Sequence, residues 1–343
     1  MSIADIDNIQ LKFKKGVLGV FDVRTDLAVE AKELYKQRYK KEIDGVIAEE
    51  DILEDVKVTK VDVVNENGAR AMGKPVGTYI TIDLPEYTHY DGDLMDKVSH
   101  ILSKNLRELI KQEKEGTTLV VGLGNSDVTP DALGPMVISR LMITRHLKAM
   151  MPESIDDEVR AVCAIAPGVL GTTGIETGEI VRSLVEKIKP SLVICIDALA
   201  SRKLERVNRT IQIGNTGIAP GAGVGNNRME INEKSLGVPV IAIGVPTVVD
   251  AATIANDTMD LFIDEMIKQA TSGGEFYNML KSIDRKEKQY MIREILAPYV
   301  GDLMVTPKDV DAIINAVSKV ISTGINLALQ PAFEIEDINK FLN

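Results

Sequence analysis

The chain has 343 residues, 45% hydrophobic and 27% charged, with a formal net charge of -11. That length can bury one large α/β core or two smaller ones, and the acidic balance excludes the basic stripe that nucleic-acid binding requires. Residues 1–8 lack the apolar core of a signal peptide, and the longest nearly apolar run, 238–249, contains Pro and Gly and is too short to span a bilayer. A cytosolic protein with neither membrane nor nucleic acid as partner is expected. The two cysteines, Cys163 and Cys195, each lie in an apolar strand-like run and are read as reduced core residues.

Residues 1–26 read as a tail in which Lys12, Lys14, Lys15 and Arg24 balance Asp5, Asp7, Asp22 and Asp26. Thr25 or Asp26 can then cap a helix that packs through Leu27, Val29, Ala31, Leu34 and Tyr35. The stretch 56–64 alternates apolar and polar residues, and 76–84 follows after a Gly/Asn turn, which predicts a hairpin or a neighbouring pair of strands. Residues 91–112 carry a helical stripe of Leu94, Val98, Ile101, Leu102 and Leu109. From Leu119 the pattern alternates: strands at 119–121, 159–165, 192–196, 210–213 and 240–245, helices at 135–150, 176–189 and 250–269. This rhythm predicts an α/β fold in three layers, with a mostly parallel or mixed central sheet covered by helices on both faces. Beyond the joint at Gly273-Gly274 the chain is helical by pattern, with Thr306 capping a helix from Pro307.

Two glycine-rich stretches imitate phosphate loops. Gly68-Ala-Arg-Ala-Met-Gly73-Lys74 has the spacing, but Pro75 stands where Ser or Thr is needed and a strand follows, so a β-turn is expected. Gly122-Leu-Gly124 opens like a dinucleotide fingerprint, yet Asp127 occupies the third glycine position. Gly221–Arg228 reads equally as an anion-cradling loop or a plain connection. His89, His100 and His146 all sit away from strand ends.

What remains is carboxylate chemistry. Asp131 follows a buried strand through a loop punctuated by Gly124, Pro130 and Gly134-Pro135, and Asp197 ends the buried run 191–196. Both are expected beyond the carboxyl edge of the sheet, where open α/β folds bind ligands. Such a pair can share a proton and activate water. Equally, Asp197 can cap a turn while Asp131 bonds amides of its own loop.

At these residues the chain resembles the germination protease family of endospore-forming bacteria. The likeness runs over nearly the whole chain: Val-Gly-Leu-Gly-Asn at 121–125, Val-Thr-Pro-Asp-Ala-Leu-Gly-Pro at 128–135, Ala-Pro-Gly-Val-Leu-Gly-Thr-Thr-Gly-Ile-Glu-Thr at 166–177, Ile-Asp-Ala-Leu-Ala at 196–200 and Pro-Gly-Ala-Gly-Val-Gly-Asn-Asn-Arg at 220–228. The resemblance implies a fold like that of the hydrogenase maturation proteases, and an atypical aspartic-type endoprotease with no metal or other cofactor. It implies a zymogen that starts the degradation of small acid-soluble spore proteins in the spore core during germination, assembled as a homotetramer. Asp131 and Asp197 fall on the family's proposed catalytic pair. Val23–Glu30 resembles its processing site, implying a cut between Asp26 and Leu27, with 1–26 as propeptide and 27–343 as one protease domain whose helical C-terminal extension spans about 275–343. Backbone amides at 221–225 are candidate oxyanion donors. Acidic residues at Asp26 and Glu30 imply basic subsites, for which Arg202, Lys203, Arg206 and Arg228 are candidates. Asp127, a local departure from the family's pattern, puts an extra carboxylate near the site. The rival reading is a metal-dependent peptidase of the same fold, against which the lack of a histidine near a strand end counts.

Overall fold

The computed structural model describes residues 25–39, 41–86, 88–110, 116–151, 153–156, 158–220, 229–300 and 303–342. In chain order these form α1 (Ala28–Tyr39), β1 (Val46–Leu53), β2 (Val56–Val63), α2 (Glu66–Met72), β3 (Gly77–Asp83), α3 (Gly92–Leu109) and β4 (Thr117–Gly122). Next come α4 (Leu133–Ile138), α5 (Arg145–Met150), β5 (Ala161–Ile165), α6 (Leu170–Thr173), α7 (Thr177–Ile188), β6 (Leu192–Ser201) and β7 (Thr210–Gly214). The chain ends with α8 (Glu233–Leu236), β8 (Val240–Asp250), α9 (Ala251–Gln269), α10 (Glu275–Lys281), α11 (Arg285–Val300), β9 (Met304–Val305), α12 (Val310–Leu329) and α13 (Ile335–Leu342).

The strands form one mixed sheet in the order β1-β2-β3-β7-β8-β6-β4-β5, with β9 pairing the end of β8. Strands β8, β6, β4 and β5 run parallel, whereas β7 is antiparallel to both β8 and β3. Strand alternation sends Ile80, Ile82, Ile194, Ile196 and Ile213 to one face, where α3 and α12 cover them with Leu102, Leu106, Ile321 and Ile325. On the opposite face Leu119, Val121, Val193 and Cys195 meet Val181 and Val185 of α7, and Val61, Val63 and Tyr79 meet Ala28 of α1 and Met72 of α2. The expected three-layer α/β/α arrangement is therefore present. Cys195 lies in this core and Cys163 is half-buried, both as free thiols raised above their ordinary range by burial.

Helix α12 is long and apolar enough to cross a membrane, but 78% of that stretch is buried here in the core. It packs so closely on α3 that a Cβ on Gly324 would lie 2.6 Å from Leu102 Cδ2.

Three local features differ from the sequence expectation. The helix expected over 135–150 is split into α4 and α5. Asn326 of α12 accepts from Met142 N at 2.9 Å and donates to Arg140 O at 3.1 Å, taking backbone groups that a continuous helix would pair internally. The stretch expected as a β-turn at 68–74 is instead the last turns of α2, ended by Gly73 in the left-handed conformation (φ 61°). Thr306 does not cap the late helix: its hydroxyl donates to Thr247 O at 2.9 Å, and α12 begins after Asp309.

Because Ile321 is fully buried between α12, α3 and the sheet, Ile321→Ala should lower the unfolding free energy by about 2–5 kcal/mol, read from the denaturant midpoint.

Candidate active site

Strand β4 ends at Gly122, and the loop that follows closes back on it through two bare backbones. A Cβ on Gly122 would lie 2.4 Å from Gly134 O, and one on Gly134 would lie 2.2 Å from Leu123 O. Gly124, at φ 110°, lets Asp131 approach: a Cβ there would meet Asp131 O at 2.0 Å. Asn125 N then donates to Asp131 Oδ2 at 2.8 Å and to Asp131 O at 3.1 Å, which orients the carboxylate.

The second carboxylate stands on a row that crosses three strands. Asp197 of β6 pairs with Gly244 of β8, and Gly244 pairs with Gln212 of β7. Asp197 Oδ1 accepts from Ala198 N at 2.9 Å. Asp131, Asp197 and Gln212 line one cavity of about 760 Å³, together with Lys74 and Asp26. Gly168, Val169 and Thr177 of the 166–177 block also face it.

The segment 25–30 is threaded along the end of β6 beside this cavity. Asp26 Oδ2 accepts from Ala200 N at 2.9 Å. Asp26 O accepts from Lys74 Nζ and from Gln212 Nε2, each at 3.0 Å, while Gln212 Oε1 accepts from Ala28 N at 2.6 Å. Lys74 Nζ also donates to Thr25 O at 2.9 Å. Leu27 has no exposed surface and packs with Val29 and Leu199. Glu30, 1% exposed, accepts from Arg202 N at 2.8 Å, Lys203 N at 2.9 Å and the Thr25 hydroxyl.

The structure thus brings Asp131, Asp197 and Asp26 to one cavity, with Leu27 packed against Val29 and Leu199. Arg202, Lys203 and Arg206 are not among the residues lining the cavity; they lie at Glu30, and their side chains pair with acidic residues around α1. Arg206 Nη2 meets Glu33 at 2.9 Å, its Nη1 meets Asp83 at 3.1 Å and its Nε lies 3.8 Å from Glu30. Lys203 Nζ meets Glu33 at 2.8 Å, and Arg202 grips Asp257 through two 2.8 Å bonds. Asp127 is exposed, and its N–H donates to Asn125 Oδ1 at 3.0 Å. Arg228, the 221–225 loop and residues 1–24 lie outside the described residues. Sequence reasoning missed Lys74, set aside with the imitation phosphate loop, and Gln212, which sits within a strand. The one available signal for Gln212 is a large polar residue between Ile211 and Ile213, on the face that alternation turns away from their core.

A family model described as germination protease matches residues 24–275 and 262–342. The chain is 70% identical over 325 residues to a germination protease of Clostridium perfringens, covering 94% of this chain and 100% of that one. It is 40% identical over 365 residues to one from a Geobacillus species, covering 94% and 98%. A solved NiFe hydrogenase maturation protease from Thermococcus kodakarensis aligns with TM-score 0.27 and 16% identity, over 56% of this chain and 98% of that one.

Two outcomes follow from the geometry. A Cβ on Gly124 should displace Asp131, so Gly124→Ala should cost about 1–3 kcal/mol of stability, measured by denaturant unfolding. Burial pushes the Glu30 carboxyl above its ordinary value of 4.5, in spite of the donors around it. The folded chain then holds this proton more tightly than the unfolded one. Its stabilising contribution is complete below 4.5 and is lost as pH rises through the raised value. Thermal unfolding followed across that window should show the slope, and Glu30→Gln should flatten it.

Proposed function

This chain belongs to the germination protease family, and on that premise we propose that it is an endoprotease that begins the degradation of small acid-soluble spore proteins during germination. In this reading residues 1–26 are a propeptide, 27–343 form the protease domain, and the chain matures by cutting itself between Asp26 and Leu27. The observation that carries it is that Asp26 lines the same cavity as Asp131 and Asp197.

The chemistry follows from the two carboxylates. A water between Asp131 and Asp197 attacks the Asp26 carbonyl carbon, and one carboxylate accepts its proton. The other, in its acid form, gives a proton to the Leu27 nitrogen as the C–N bond breaks. A carboxylic acid on Asp26 and an amine on Leu27 result, and the acid's proton passes to the amine to give carboxylate and ammonium. Two donors already on the Asp26 carbonyl and the burial of Leu27 support this pose, because they hold the bond still before attack. Glu30 supplies an acidic handle three residues past Leu27, read by the Arg202 and Lys203 backbone N–H groups and the Arg206 guanidinium. Substrates with an acidic residue at that distance would occupy the same seat, with Arg202, Lys203 and Arg206 as its subsite residues.

The test uses the full chain and intact-mass detection of the 26/27 cut. Asp131→Asn and Asp197→Asn should each slow it by at least about 1000-fold while remaining folded, and Asp127→Asn should cut at nearly the parent rate. Parental cutting by either folded site variant would overturn the two-carboxylate mechanism.

A further inference from the structure

Lys74 reaches the cavity because of its local sequence. Gly73 ends α2 in the left-handed conformation and Pro75 breaks the chain on the other side, so the side chain leaves the helix end instead of lying along it. An ammonium has three donors, and two of the bonds made here go to consecutive backbone carbonyls, Thr25 O at 2.9 Å and Asp26 O at 3.0 Å. Burial depresses the Lys74 pKa from its ordinary 10.5, opposed by the charges of Asp26 and Glu30. A lysine is thus kept in a costly place, and its ammonium donates there to two neutral carbonyls.

Gln212 completes the arrangement. Its side-chain amide bridges the two flanks of the bond between Asp26 and Leu27, with Nε2 on Asp26 O and Oε1 on Ala28 N. A flipped amide would turn its NH2 toward Ala28 N–H and its oxygen toward Asp26 O, so the segment itself fixes which end donates. The Asp26 carbonyl oxygen therefore carries two donors, one of them an ammonium, where charge develops if that bond is attacked.

We propose that Lys74 Nζ and Gln212 Nε2 are catalytic groups that form the oxyanion site for cleavage after Asp26, an inference that rests on reading this bond as the one cut. As the water oxygen bonds to the Asp26 carbon, the carbonyl electron pair moves onto oxygen and the negative charge faces the Lys74 ammonium. Collapse returns the pair and expels the Leu27 nitrogen, which takes its proton from the acidic carboxyl. Lys74 and Gln212 give up no proton at any step. Their bonds are present before attack and strengthen as charge grows, as pre-organised donors do. A substrate in trans would present the carbonyl of its own acidic residue to the same two groups.

The opposing account is that Lys74 and Gln212 only clamp the segment. Lys74→Met and Gln212→Leu, made separately in the full chain, distinguish the two when paired with two readouts. The first is the first-order rate of the 26/27 cut by intact mass; the second is amide hydrogen-exchange protection of residues 27–30. Removal of one donor should slow cutting by about 100-fold or more, with protection reduced far less than the rate. A rate within about threefold of the parent for both folded variants, or a rate loss matched by an equal loss of protection, overturns the oxyanion role. A parent chain that never cuts after Asp26 removes the processing reading itself, and this role with it. A parent that cuts while both variants keep pace removes only the role of Lys74 and Gln212. Gln212→Leu changes no charge, so it carries the test if Lys74→Met fails to fold.

Discussion

The site depends on an absence of bulk at one position in the sheet. Gly244 stands between Asp197 and Gln212 on the cross-strand row, and a Cβ there would lie 2.4 Å from Leu199 Cδ1. Leu199 lies over that bare backbone and, from there, packs with Leu27 and Val29. A larger residue at 244 would lift Leu199, and with it the seat of Leu27 and Val29. β6 runs parallel to β8 and β7 antiparallel to it, and in that register Asp197, within β6, comes level with Gln212 in the middle of β7.

The same segment is held by apolar contact and by charge, and the two have different effects. Leu27, Ala28 and Val29 are buried and supply attraction that has no direction of its own. Glu30 supplies the register. Its carboxylate takes two backbone N–H groups and the Thr25 hydroxyl, with Arg206 behind them. A buried acid costs free energy unless its bonds are made. A slip of one residue along β6 would strand Glu30 among apolar neighbours and pull Asp26 off Ala200, so the charged contact selects one alignment from several that hydrophobic burial would accept.

Much of this was readable from residue order. Alternation at 56–64 and the apolar runs ending at Val121 and Ile196 gave the strands, and helical stripes gave α1, α3, α7 and α9, because those elements are built from local periodicity. Asp131 was visible because glycine turns have local signatures, whereas Asp197, expected beyond a strand end, lies inside β6, which runs on to Ser201. What escaped detection was set by contacts distant in sequence. The strand β1 carries Glu49, Glu50 and Asp51 on an edge that, among the described residues, pairs with β2 alone, so its residues lack the apolar pattern of a buried strand. The break between α4 and α5 is imposed by Asn326, nearly two hundred residues later. Lys74 looked like part of a failed phosphate loop, and Gln212 like an ordinary strand residue. Each acquires its meaning only when residues 25–28 are laid across the sheet.

Leu27 has no exposed surface in the uncut chain. Scission before it would turn a neutral peptide nitrogen into an ammonium at a site enclosed by Val29 and Leu199, and would add a carboxylate to Asp26, whose side chain is already anionic. The new ammonium would not suit that enclosure, since bringing an ion out of water costs several kcal/mol, whereas the new carboxylate would keep the Lys74 and Gln212 donors. Under the proposed cut, the fit that seats the bond would turn against the new amino end, and hydration of that ammonium would draw it away from the seat before the ends could rejoin.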